Sequence, residues 1–452
     1  QVPQRAIDSG LISRFGAIDP SDGGDTHRYS LSLNAQLYHD DDSITRASAY
    51  LVDYQLNLFS NFTYFLEDPV NGDQFQQSDR RTISGGSASR SWLQNWNGRF
   101  VEHTLGLQAR NDNIPAVALH QTVQRQVIGT TRSDHVVQTS VGPYYDLAIQ
   151  WSPTFRSVAG IRADYYHFDV DSNIPENSGD LDDTIVSPKL NLIFGPWHKT
   201  EYYTNFGYGF HSNDARGTTI SIDPKTMTAV DKVDPLVRTK GAEVGLRTSI
   251  VPGLQSSLAL WWLESDSELL FVGDAGNTEA SRPSRRTGVE WANYYRPQQW
   301  LVIDADFAVS SARFTDDDPA GDYIPGAIDQ TASVGITVDN PLYWYGGLRL
   351  RYFGPRPLTE DNSVRSQSST LVNARLGYRI DHFWRVALDV YNLFDREVSD
   401  IDYYYASRLA GEPAAGVEDI HTHPAESRSL RVSVSYNFLV YLNADVAWMY
   451  YI

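Results

Sequence analysis

Two groups of residues in this 452-residue sequence carry side chains that could hold a ligand. The first is a run of arginines, Arg247, Arg349, Arg351, Arg375, Arg379, Arg385 and Arg431, set among Glu243, Asp304, Asp306 and Asp389. A guanidinium forks onto flat anions, so such a set could line a ligand path; equally, it could be a network that keeps an interior hydrated. The second group lies between Glu397 and Glu426, where Tyr403, Tyr404 and Tyr405 precede Glu418, Asp419, His421 and His423. These could stack on a flat ligand or approach a metal, although two histidines one residue apart fall short of a closed metal-ligand set. Asp180, Asp182 and Asp183, and the run Asp316 to Asp318, offer carboxylates suited to Ca²⁺, but acidic loops are commonly only solvated. The binding candidates are therefore Arg247, Arg349, Arg351, Arg375, Arg385, Tyr403, Tyr404, Tyr405, His421 and His423. The chain shows no G-x-S-x-G elbow, P-loop or H-E-x-x-H motif, and nothing pairs a nucleophile with a base, so the reading is of a non-enzyme that needs no cofactor.

Composition narrows what can position these groups. With no Cys, the chain has neither disulfides nor thiolate metal sites; 27 Tyr, 18 Phe and 11 Trp make it rich in rigid aromatics. A net charge of −19 argues against nucleic acid, whose phosphates need clustered Lys and Arg. No stretch approaches the ~18 to 20 apolar residues of a membrane-spanning helix. The mean hydropathy of −0.39 looks soluble, but strands that alternate apolar and polar residues cancel in any average.

That alternation is present. Val372, Ala374, Leu376, Tyr378 and Ile380 interleave with Asn373, Arg375, Gly377 and Arg379, and Trp384, Val386 and Leu388 interleave with Arg385, Ala387 and Asp389. A period of two puts one set on each face of a strand. The pattern predicts Leu376, Leu388 and Val434 on an outer, lipid-facing wall and Arg375, Asp389 and Ser433 on an inner one. The template recurs about 17 times between Tyr29 and Phe438. Short turns such as Ser152 to Thr154 and Val251 to Gly253 alternate with longer polar stretches such as Asn111 to Asp134, His211 to Asp234, Thr315 to Pro325 and Glu397 to Glu426. Trp92, Trp96, Trp151, Trp197, Trp300, Trp344 and Trp384 flank the short turns, where an interfacial girdle belongs. The expected fold is all-β, a transmembrane antiparallel β-barrel of 17–18 strands.

Three segments carry a family resemblance. Ser187-Pro188-Lys189-Leu190 leads to Asn205-Phe206-Gly207-Tyr208-Gly209-Phe210-His211; Ala387 to Asp395 reads ALDVYNLFD; and Glu426-Ser427-Arg428 leads to Ser435-Tyr436-Asn437-Phe438. In this order and spacing the chain resembles the TonB-dependent outer-membrane receptors. The resemblance implies a bacterial outer-membrane location, a 22-stranded barrel closed by an N-terminal plug, and partners that include membrane lipid, lipopolysaccharide, a small-molecule ligand and, through the plug, the TonB complex. It implies energy-coupled uptake of a scarce ligand such as a siderophore, cobalamin, metal chelate or oligosaccharide. A passive channel and a surface adhesin or phage-receptor barrel are the alternatives.

Against that pattern, residues 1–26 read as an extracellular loop segment and residues 27–438 as the barrel, with plug and about five strands expected to be absent from this chain. Residues 439–452, with Leu442, Ala444, Val446 and Trp448 on one face, read as a C-terminal extension forming a further strand.

Overall fold

The computed structural model describes residues 1–272, 277–280, 282–340 and 342–438. The further strand expected over residues 439–452 lies outside them.

Among the described residues seventeen strands make one barrel sheet, from Gly23–Tyr38 to Ser429–Tyr436. Each is antiparallel to the next wall strand, as between Thr200–Ser212 and Leu236–Thr248 or between Ser369–Arg379 and Trp384–Tyr391. The first begins at Gly23, six residues before the Tyr29 start that alternation gives (29 − 23). Helix is confined to the turns Gln4–Asp8, Pro175–Asn177 and Ala215–Thr219 among the described residues. Leu376, Leu388 and Val434 stand exposed on one face of the wall, while Asp389 on the other is buried. That is the assignment the alternation predicts, and among the described residues no helix is long and apolar enough to cross a membrane.

The inner wall has a repeated device. Tyr50 stands directly across from Gly85, Gly106 from Tyr144, Gly245 from Tyr203 and Tyr345 from Gly377. In each pair the ring lies over the glycine so closely that a Cβ would come within 2.1 to 2.5 Å of it. The glycine supplies a flat shelf for the ring, which restores the packing that a bare glycine strand loses.

Two of the long polar stretches are not loops. Residues 111–134, expected as one, instead extend the strands Arg99–Val123 and Gln126–Ser152 to 25 and 27 residues, joined by a turn at Gln124 and Arg125 with φ 46° and 65°. At ~3.3 Å per residue this hairpin is far longer than an apolar band ~25 Å tall, and above that band both faces can be polar, which erases the alternation signal. The stretch Glu397 to Glu426 contains the hairpin Ser399–Ser407 and Val417–Pro424, to which Val2–Pro3 adds a third strand. This platform sits on the long-connection side of the barrel. Loop residues 213–235 also fold back, burying Ala215 together with Leu236 of the following strand against Val117, Phe168 and Ile185 inside the wall.

Candidate functional site

The inner wall near the short turns brings together most of the arginines singled out above. Arg375 Nε donates to Asp389 Oδ1 at 2.5 Å across adjacent strands, and Arg349 Nη2 donates to Asp304 Oδ1 at 2.9 Å. Arg385 stands directly opposite Arg379, which bonds Asp339 and lies over the Tyr345 ring. Arg349, Arg375, Arg379 and Arg385 line a cavity of about 500 Å³. Arg247, stacked on Tyr203, lines a neighbouring one of about 730 Å³ with Glu201, Asp304 and Asp306. Asp304 is common to the Arg349 pair and the larger cavity, so the two form one charged wall. Arg351 stands apart, with Nη2 bonding Asp400 at the foot of the outer platform.

The platform residues do something different from what their types suggest. His421 is fully buried; its Nε2 lies 2.7 Å from Ser407 Oγ and its ring stacks on Tyr405 at 3.7 Å. Burial holds its imidazole down at about 4, with Arg5 acting in the same direction. A neutral ring packed this way is a structural element of the platform. Tyr405 also donates to Gln1 Oε1. Tyr403 and His423 are exposed, and Tyr404 is half-buried. Among the described residues no three His, Cys, Asp or Glu side chains are grouped to hold a metal ion.

Arg5 ties the N-terminal segment to this platform: its Nε and Nη2 donate to the two oxygens of Glu412 at 2.8 Å, and its Nη1 reaches Asp419 at 3.3 Å. The Arg5 bond in turn holds the Glu412 carboxyl below its usual range.

The outer half of the lumen holds a set that sequence reasoning missed. Arg28, Arg81, Arg110, Tyr50 and Tyr54 line a cavity of about 680 Å³. Arg81 Nε donates to Asp79 Oδ1 at 2.8 Å and Arg110 Nε to Asp112 Oδ2 at 2.6 Å. Among the described residues no carboxylate pairs with Arg28. A residue and its neighbour two positions on share a strand face, so the spacings Asp79-x-Arg81, Arg110-x-Asp112, Arg132-x-Asp134 and Arg162-x-Asp164 were a legible sign of inward ion pairs.

Above this cavity Asp214 caps the turn Ala215–Thr219 by accepting from Arg216 N at 2.9 Å, and its carboxylate takes both Arg216 Nε and Nη2. Burial alone would raise the Asp214 carboxyl, but the Arg216 charge and hydrogen bonds outweigh it and hold it far below the usual range.

This wall, with short turns at one end, long structured connections at the other and ion pairs inside, has a counterpart among known proteins. The model of the TonB dependent receptor-like beta-barrel matches residues 5–393. The chain belongs to that family. Its wall is also similar to that of the ferric citrate transporter FecA in its unliganded form, with a TM-score of 0.73 at 16% identity over 97% of this chain and 65% of that one. The ferric yersiniabactin uptake receptor FyuA from Yersinia pestis gives a TM-score of 0.68 at 15% identity over 92% of this chain and 62% of the other. The copper transporter OprC gives 0.69 at 17% over 92% and 67%. At these identities the likeness is one of fold. The chain spans 65%, 62% and 67% of the length of these three solved structures. Membership of the family places it in the bacterial outer membrane as a β-barrel.

Proposed function

We propose that the chain is the barrel of a receptor that takes up an anionic metal chelate across the outer membrane. The observation that carries this reading is the outer cavity formed by Arg28, Arg81, Arg110, Tyr50 and Tyr54. This lumen surface sets three guanidinium groups beside two phenol rings in a protein of net charge −19, and among the described residues no carboxylate pairs with Arg28. Guanidinium groups recognise carboxylate and catecholate oxygens through forked hydrogen bonds, and phenol rings stack on flat ligands. The solved relatives named for ferric citrate and ferric yersiniabactin support the same class. Uptake against a gradient requires an energy source acting on a gate, so coupling through a plug to the TonB complex belongs to this reading for the full-length protein.

The test is binding by the full-length protein purified in detergent, titrated with anionic ferric chelates and with a neutral chelate of similar size. The expected result is selective binding of an anionic chelate that weakens at least tenfold in Arg28→Gln/Arg110→Gln, about 1.4 kcal/mol or more. Equal affinity for charged and neutral chelates, or no change in the variant, would contradict the reading.

A further inference from the structure

We infer that the outer wall carries a site for the phosphate groups of an outer-leaflet glycolipid, built from Arg238, Lys240, Arg285 and Arg313. The inference rests on the outer-membrane placement of the barrel and is independent of which ligand the lumen takes.

Strand register brings these residues together. Tyr208, Lys240, Glu264, Arg285 and Arg313 stand successively opposite one another across five neighbouring strands, so their side chains share one face at one hydrogen-bonded rung. The face is the lipid-facing one. Four residues closer to the short turns on the same strands lie Val244, Leu260, Val289 and Val309, mutually paired and 55%, 50%, 41% and 57% exposed. The charges therefore begin where the greasy band ends. Arg313 is twelve residues above Leu301 (313 − 301) and Lys240 eight above Thr248 (248 − 240). With a rise of ~3.3 Å and a tilt of ~40°, these positions are about 20 to 30 Å above the short turns, at the outer edge of an apolar band ~25 Å tall.

The cations are spread and only partly neutralised. Glu264 places one oxygen on Lys240 Nζ at 2.6 Å and the other on Arg285 Nη2 at 2.7 Å, so one carboxylate serves two cations. The Arg285 side chain keeps 56% of its surface exposed. Arg313 lies over the Tyr323 ring at 3.6 Å, with Asp322 at 3.9 Å. Arg238 lies over Tyr208 at 5.4 Å and donates to Val186 O. Asp266 is the remaining acid near Lys240. Four cations thus stand against Glu264, Asp266 and Asp322, with rings beneath them: Trp262 lies under Lys240 at 5.7 Å. Cations over aromatics at a membrane edge grip a headgroup phosphate while the rings and valines below receive its acyl chains.

The adjoining strands Phe155–Ser172 and Gly179–Trp197 show that this is a local feature rather than a general belt. There, on the outward face that bears exposed Ile161 and Tyr165, Asp169 stands across from Asp180, His167 from Asp182 and Asp171 from His135. A phosphate is repelled from that flank and drawn to the cationic one.

The test uses the full-length protein in lipid nanodiscs with bisphosphorylated lipid A as the probe, dephosphorylated lipid A as control and native mass spectrometry as readout. Wild type is expected to retain the bisphosphorylated form at least about tenfold more tightly than the dephosphorylated one. Lys240→Gln/Arg285→Gln/Arg313→Gln is expected to abolish the preference, and Asp169→Asn/Asp180→Asn to leave it in place. If the triple variant does not fold, Arg313→Gln alone, at the rim of the row, is expected to lower the preference several-fold. Equal retention of the two lipids by wild type, an unchanged preference in the folded cation variants, or complete displacement by millimolar inorganic phosphate would overturn the site.

Discussion

Arg5 and Glu412 are 407 residues apart in sequence, and both guanidinium–carboxylate hydrogen bonds between them are 2.8 Å long. Their fork fastens the N-terminal segment to the outer platform, where Val2–Pro3 completes a three-stranded sheet. Arg5→Ala leaves Glu412 and Asp419 without their cation and is expected to weaken this local docking by roughly 2 kcal/mol. Hydrogen exchange in residues 1–22 should accelerate while exchange in the wall strands stays slow. Unchanged exchange in that segment would show that the fork holds nothing.

The same platform has a pH dependence of determinate sign. His421 has its folded value at about 4 against an ordinary 6.5, so the unfolded platform takes up a proton that the folded one refuses. Its contribution is complete above pH 6.5 and is lost as pH falls from there towards 4, a loss of at most about 3 kcal/mol. Glu412, held below its usual range by Arg5, acts in the same direction: its contribution is present above the ordinary carboxylate range and is lost as pH falls through the lowered value. Limited proteolysis of residues 397–426 between pH 7 and 4 should show progressive opening, and His421→Phe should flatten the upper part of that profile. A pH-independent cleavage rate in wild type would count against the buried neutral ring.

Much of the wall was legible in the sequence, for a physical reason. Lipid on one side and water on the other impose a strict period of two, and Arg375, Leu376, Leu388 and Asp389 obey it in the structure. The signal failed where lipid ends. The long hairpin through Gln124 and the platform hairpin bearing His421 lie beyond the lipid, where no face is held to a single polarity, so alternation vanishes and they read as loops. The site was partly legible. Arg349, Arg375 and Arg385 were singled out and share one cavity, whereas Tyr405 and His421, singled out for stacking on a ligand or approaching a metal, pack against each other. Arg28, Arg81 and Arg110 were overlooked because their strands are bounded by the misread outer segments, although the Arg-x-Asp spacing was there to be seen.

The folded-back outer connection depends on Asp214. Asp214→Ala removes a helix cap and strands the buried Arg216, a combined cost of roughly 3 to 5 kcal/mol to that connection. A spin label at Thr226 should report a broadened distance distribution to the wall in the variant, with the barrel itself retained. An unchanged distribution would mean that the apolar contacts of Ala215 suffice.

Gly377 lies beneath the Tyr345 ring, and a Cβ there would come within 2.1 Å of it. Gly377→Ala displaces the ring from its shelf and from Arg379, costing about 1 to 2 kcal/mol. The temperature at which the folded barrel loses its characteristic gel mobility should fall, and Tyr345→Ala in the same background should restore part of the loss. An unaltered transition in Gly377→Ala would remove the glycine shelf from the account.

The central claim is that this barrel serves energy-coupled uptake of an anionic metal chelate through an arginine-lined lumen. The most direct measurement is accumulation of radiolabelled iron, supplied as an anionic chelate, in cells whose only outer-membrane route is the full-length protein, with and without a protonophore. The account predicts accumulation that stops when the proton-motive force is dissipated and falls at least tenfold in Arg28→Gln/Arg110→Gln with the protein still in the outer membrane. Accumulation that continues at the same rate after dissipation, in wild type and variant alike, would contradict it and identify a passive pore.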